Sequence, residues 1–181
     1  VDFDPAHDSL DTYRAQTLDS LGRVQAEQLA DRFKGETVKL VITSEFARAR
    51  ESGQIIADHL ELPIETYEVL NEIGFFVRPQ EIIKFERDEI KYEQAIQDVT
   101  AAGEKAVKFL ENVARDHQGE NVVVVCHGNI IRAIVGHALK ASVESMIRMQ
   151  VDLASLTMLE YDGSDLFRLM KLNDTCHLEP R

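Results

Sequence analysis

The chain has 181 residues, 44% of them apolar and 7% aromatic, with a formal net charge of −12 at pH 7. That length suits a single domain over residues 1–181 with a substantial core, and the acidic balance argues against non-specific nucleic-acid or anionic-membrane binding. Two cysteines, Cys126 and Cys176, make no disulfide framework, and no run of membrane length or signal-peptide pattern occurs, so the cytoplasm is the expected location.

Val1 to Thr17, VDFDPAHDSLDTYRAQT, is polar, acidic and without a sustained period, and reads as a loop. Ser20 is placed to cap a helix over LGRVQAEQLADRF, where Leu21, Val24, Ala26, Leu29 and Phe33 trace an apolar face and Gly35 ends it. Val38 to Ile42 is a short apolar strand. Thr43-Ser44 then opens a second helix, EFARARESGQIIADHL, which ends near Leu60. Pro63 to Tyr67 suits a short strand, and VLNEIGFFVR, Val69 to Arg78, is irregular yet apolar. A long helix is predicted up to about His117, with Tyr92, Ile96, Val99, Ala106, Phe109, Leu110 and Val113 at spacings of three and four. Gly103 weakens its middle by roughly 1 kcal/mol relative to Ala.

The stretch NVVVVCHGNIIR, Asn121 to Arg132, is the most informative in the chain. Four consecutive valines read as a strand buried on both faces. Cys126-His127-Gly128-Asn129 follows without a spacer, and IIRAIVGHAL reads as a helix. A strand running into a Gly-bearing turn and a helix start makes an anion site from backbone N–H groups and the helix dipole. It also puts His127 at the carboxyl end of a strand, where open α/β sheets bind ligands. Val143 to Met149 then suits a short helix. Ser155 to Tyr161 and Leu166 to Leu172 read as two strands around the turn Asp162-Gly163-Ser164. Strands alternating with helices predict an α/β fold, three-layer α/β/α around a mostly parallel central sheet. Neither cysteine lies in a C-x-x-C pair and H-E-x-x-H is absent, so no metal or other cofactor is expected.

Four stretches together resemble the histidine phosphatase superfamily, the phosphoglycerate-mutase-like fold. LDSLGRVQAEQLADRF resembles its first helix, SEFARARESGQII its S-x-x-x-R-A helix start, LNEI the loop carrying its acidic residue, and VVCHGNIIRAIV its second histidine motif. The closing DLASLTMLEYDG and KLNDTCHL resemble the family's ending, and the motifs stand in the family's order over nearly the whole chain. The resemblance implies phosphoryl transfer to a histidine without a metal, with cations offsetting phosphate charge. On the matching positions, Arg48 clamps phosphate oxygens, His127 lines the phosphate pocket, and Gly128 and Asn129 complete the binding turn. Glu72 is the general acid toward the leaving oxygen. The implied substrate is a phosphorylated small molecule or a phosphoprotein. The short interval between the Glu72 and His127 motifs favours a phosphatase over a sugar-phosphate mutase.

Two departures from the family pattern stand out. GFFVRPQEI replaces the G-x-x-E-G that often follows the acid, which leaves Arg78 as a possible extra charge at the leaving-group side. No R-H-G, the family's nucleophile motif, occurs among the 181 residues. The expectation is that a strand and this motif, about ten residues, precede Val1; the alternative is a phosphate-binding relative without chemistry. Ala6-His7-Asp8 is a poor substitute for R-H-G, because an aspartate repels phosphate. A rival reading is the cysteine-phosphatase spacing Cys-x5-Arg in CHGNIIR, Cys126 to Arg132. Ile130 and Ile131 oppose it, since they continue as apolar helix positions. Arg132 is then expected as a helix residue directed at the surface. His59, His117 and His137 are expected at helix surfaces or ends, and His177 as a structural residue.

Overall fold

The computed structural model describes residues 10–73, 89–164 and 166–178. His7, Arg78 and the GFFVRPQEI stretch lie outside the described residues, as does the side chain of Tyr92. The chain alternates between two compact units. The first holds Val1–Asn71, Gly119–Cys126 and Thr175–Arg181; the second holds Glu72–Gln118 and His127–Asp174.

In the first unit, helix α1 spans Leu10–Ala15, where the sequence reads as loop. Its six residues carry no period of their own. Support comes from tertiary contact: the Tyr13 ring meets Phe46 edge-on, with centroids 5.9 Å apart and planes at 83°. Helix α2 spans Ser20–Arg32, and its cap is Asp19 rather than Ser20. The Asp19 Oδ1 accepts the Gly22 N–H at 2.7 Å, and Ser20 becomes the first helical residue. Ala26 and Ala30 face inward with Leu29 and Phe33, while Leu21 and Val24 stay exposed at the margin of the stripe.

Strand β1, Val38–Thr43, runs into helix α3, Ala47–Leu60, which returns the chain to strand β2, Ile64–Thr66. Strand β3, Asn121–Val125, pairs with the other edge of β1, so the sheet order is β2-β1-β3, all parallel. Helix α3 packs on β1 through Gly53, where a Cβ would lie 2.2 Å from Thr43 Cγ2. Ala30, Val38, Val41, Ile56, Ala57 and Val123 form the core between helices and sheet. The valine run departs from expectation. Val123 is buried, but Val122, Val124 and Val125 are half-buried, because β3 is an edge strand of the described sheet.

In the second unit, helix α4 spans Glu89–Asp116, α5 Gly128–Ala138 and α6 Val143–Ile147. Val99 and Ala106 are fully buried, as the period predicts. Gly103 has a packing role. A Cβ there would lie 2.7 Å from the Ala133 carbonyl oxygen, so the residue that weakens the isolated helix lets α4 and α5 approach closely. Val99, Ala133, Val143 and Met146 form the core of this unit. Strands β4, Leu156–Tyr161, and β5, Phe167–Asp174, make an antiparallel hairpin. At its turn, Gly163 adopts φ +80° and Asp162 Oδ1 accepts the Ser164 N–H at 2.9 Å. No described helix is long and apolar enough to cross a membrane.

Candidate active site

Arg48 is organised within the first unit. The chain leaves β1 at Thr43, and Ser44 Oγ accepts the Phe46 N–H at 3.2 Å, shaping the turn into α3. Phe46 precedes the first helical residue, so Arg48 is second in the helix. Its guanidinium carbon lies 4.2 Å from the Tyr13 ring centroid and 5.1 Å from that of Phe46. Nη1 donates to the Tyr13 carbonyl at 3.0 Å. Two aromatic rings and one hydrogen bond therefore fix the plane of the cation. The same turn is tied to the L-N-E-I loop by a reciprocal pair: Glu45 N–H donates to Asn71 Oδ1 and Asn71 Nδ2 to Glu45 Oε2, both at 2.9 Å.

The remaining predicted residues gather at the start of α5 in the second unit. His127 is 7% exposed and occupies the position before the helix with extended backbone, φ −128° and ψ 163°. Gly128, Asn129 and Ile130 form the first turn. Glu72 Oε1 accepts the Ile130 N–H at 3.3 Å and the Ile73 N–H at 3.1 Å. The carboxylate thus sits at the positive end of the helix dipole, a favourable place for an anion. Gly128 has no positive φ, and a Cβ there would come no closer than 3.4 Å to another atom, Arg132 Nη1.

Asn129 and Arg132 depart from the sequence-based reading. The Asn129 Nδ2 donates to the Ile73 carbonyl at 3.2 Å, and its Oδ1 accepts from Arg132 Nη1 at 2.9 Å. Both ends of the side-chain amide are engaged with protein, so what Asn129 offers an anion is its backbone N–H. Arg132 does not point to the surface. It is half-buried, and its Nε donates to the Met149 carbonyl at 2.7 Å. Burial lowers its pKa from the ordinary arginine value, and the charges of Glu72 and Asp152 offset part of that shift. The residues following Cys126 do not form a phosphate-cradling loop, because the helix is already under way at Gly128. His59 is engaged with Asp31 at 3.0 Å on the surface of the first unit.

The structure therefore brings Glu72, His127, Gly128 and Asn129 to one helix start, although Glu72 comes from a distant part of the sequence. Arg48 belongs to the other unit and is held there by Tyr13 and Phe46. Sequence reasoning missed Tyr13, Phe46 and Arg132. The only signal for Arg132 was its position four residues after Gly128, which returns it to the same helix face.

Comparisons with known proteins point the same way. The profile of the histidine phosphatase superfamily (branch 1) matches residues 13–175. Phosphoglycerate mutase-like protein 4 of Arabidopsis thaliana is 29% identical over 185 residues, covering 90% of this chain and 76% of that protein. The human mitochondrial serine/threonine-protein phosphatase PGAM5 is 27% identical over 168 residues, covering 91% of this chain but 57% of its own length. The crystal structure of Entamoeba histolytica phosphoserine phosphatase in complex with 3-phosphoglyceric acid superposes with a TM-score of 0.76. It is 19% identical and covers 90% of this chain and 87% of that one, so the α/β fold is shared. With the profile spanning nearly the whole chain, the protein belongs to the histidine phosphatase superfamily, branch 1.

Proposed function

We propose that this protein is a phosphatase that hydrolyses phosphomonoesters through a phosphohistidine intermediate. The supporting observation is the meeting of Glu72 with the helix start that follows His127, through the Ile130 N–H at 3.3 Å. An acid and a buried imidazole beside first-turn amides are what phosphoryl transfer requires: a proton donor and an electropositive cradle. Gly128 adds to this. Neither a positive φ nor a crowding side chain demands a glycine there, so we assign its value to leaving the amides open to close approach.

In this reading the histidine of an R-H-G motif attacks phosphorus, and the bond to the ester oxygen breaks. That oxygen takes the proton of Glu72. Water then attacks the phosphohistidine, phosphate departs, and the water's proton returns to Glu72. His127 and the amides of Gly128 and Asn129 stabilise the phosphoryl oxygens, and Arg48 supplies the guanidinium that the family motif assigns to it. The substrate class is a phosphorylated small molecule or a phosphoprotein side chain. The Entamoeba protein, solved with 3-phosphoglyceric acid, and the phosphatase name of PGAM5 speak for these two classes respectively. We also propose a cytoplasmic location, since two cysteines in 181 residues are too few for a disulfide framework.

The test is hydrolysis of 3-phosphoglycerate, phosphoserine and a phosphoserine peptide in EDTA by the natural protein and by its His127→Ala variant. Metal-independent turnover that His127→Ala lowers at least 100-fold is expected, the size of losing an oxyanion-stabilising donor, about 10²–10³. Phosphate binding without turnover of any ester would instead make the protein a phospho-ligand binder.

A further inference from the structure

We propose that Arg132 and Asn129 are positioning residues for Glu72, forming a relay that holds the acid's loop against the start of α5. The inference rests on the reading of Glu72 as the acid. Arg132 Nε is anchored on the Met149 carbonyl at 2.7 Å and Nη1 on Asn129 Oδ1 at 2.9 Å. Asn129 Nδ2 then reaches the carbonyl of Ile73, the residue after Glu72, at 3.2 Å.

The orientation of this amide is not ambiguous. Arginine only donates and a carbonyl only accepts, so Oδ1 must face Arg132 and Nδ2 must face Ile73. Both backbone polar groups of Ile73 are therefore engaged, its carbonyl by Asn129 and its N–H by Glu72 Oε1 at 3.1 Å. With the Ile130 N–H on the same oxygen, Glu72 is fixed by the helix backbone and its loop by the helix side chains. This matters for the chemistry. A proton donor must be held within a fraction of an ångström of its acceptor. The charge of Glu72 also favours the charged form of the half-buried Arg132 against the cost of burial.

A leaving-group series separates positioning from general stability. An alkyl phosphate such as phosphoserine needs a proton on its leaving oxygen; p-nitrophenyl phosphate departs as a stable anion and needs little. On the full natural protein, Glu72→Gln should slow the alkyl ester by about 10²–10⁴-fold and p-nitrophenyl phosphate far less. Arg132→Lys, which keeps the charge but loses the planar fork that reaches both acceptors, and Arg132→Met, which loses both, should show the same pattern at smaller size. A loss of about 10- to 100-fold in kcat on the alkyl ester, with KM and p-nitrophenyl phosphate turnover little changed, is expected. Circular-dichroism melting establishes that each variant is folded at the assay temperature. Equal losses on both esters in Arg132→Lys and Arg132→Met, or no loss on either, would overturn the relay. A Glu72→Gln variant with no leaving-group dependence would instead overturn the acid assignment on which the relay rests.

Discussion

Replacing Arg48 with alanine tests the phosphate site on a single side chain. The guanidinium packs against the Tyr13 and Phe46 rings, at 4.2 and 5.1 Å, and donates to the Tyr13 carbonyl at 3.0 Å. A cation ordered in advance loses little rotamer freedom when it binds an anion. A hydrogen bond to a charged group contributes about 1.5–3 kcal/mol, so Arg48→Ala should weaken binding of inorganic phosphate by roughly 12- to 140-fold. The net charge of −12 makes the cation more important, since the rest of the molecule repels phosphate. Titration calorimetry at fixed ionic strength measures the change, with vanadate as a second probe. Arg48→Lys keeps the charge but loses the planar fork, and should fall between wild type and alanine. Equal phosphate affinity in wild type and Arg48→Ala, with both folded, would refute the assignment of Arg48 to the phosphate.

Two further perturbations test the fold. Gly53→Ala would press a methyl group to 2.2 Å from Thr43 Cγ2, in a side chain that is fully buried and β-branched. Helix α3 or strand β1 must shift, and urea unfolding should show a loss of about 1–3 kcal/mol. The Asp162 carboxyl is held below its ordinary 3.8, first by the Ser164 hydroxyl and then by the Ser164 backbone N–H and Arg168. A lowered folded pKa stabilises the hairpin above the unfolded value, and that contribution is lost as pH falls through the folded one. Ser164→Ala should therefore move the Asp162 titration, followed by NMR, upward toward 3.8.

The regular elements were legible where a hydrophobic period coincides with burial. The α4 stripe is such a case, with Val99 and Ala106 inward, and so is the hairpin around Gly163, whose positive φ the sequence signals directly. Helix α1 was not legible, because Tyr13 gains its support from Phe46, a residue far along the chain. The valine strand shows the opposite limit. Its composition states that it is apolar, but only its place at the edge of the described sheet leaves Val122 and Val124 half-buried there. At the site, His127 was marked by its place directly after an apolar strand, whereas Glu72 was marked only by the resemblance of LNEI to the family's acidic loop. Arg132 was misread because a lone arginine on a helix is by default a solvated one. The Met149 carbonyl that anchors it is brought near by the fold and leaves no mark in the surrounding sequence.

The central claim is that phosphate passes through a histidine while the residues described above hold and protonate it. Trapping the phosphoenzyme tests this most directly. The natural protein is mixed with radiolabelled phosphomonoester in EDTA, then quenched in alkali. The account predicts label on the protein that survives alkali, is released by acid, and is recovered as phosphohistidine on phosphoamino-acid analysis. Turnover without acid-labile label, abolished instead by Cys126→Ser, would contradict it and move the chemistry to the cysteine.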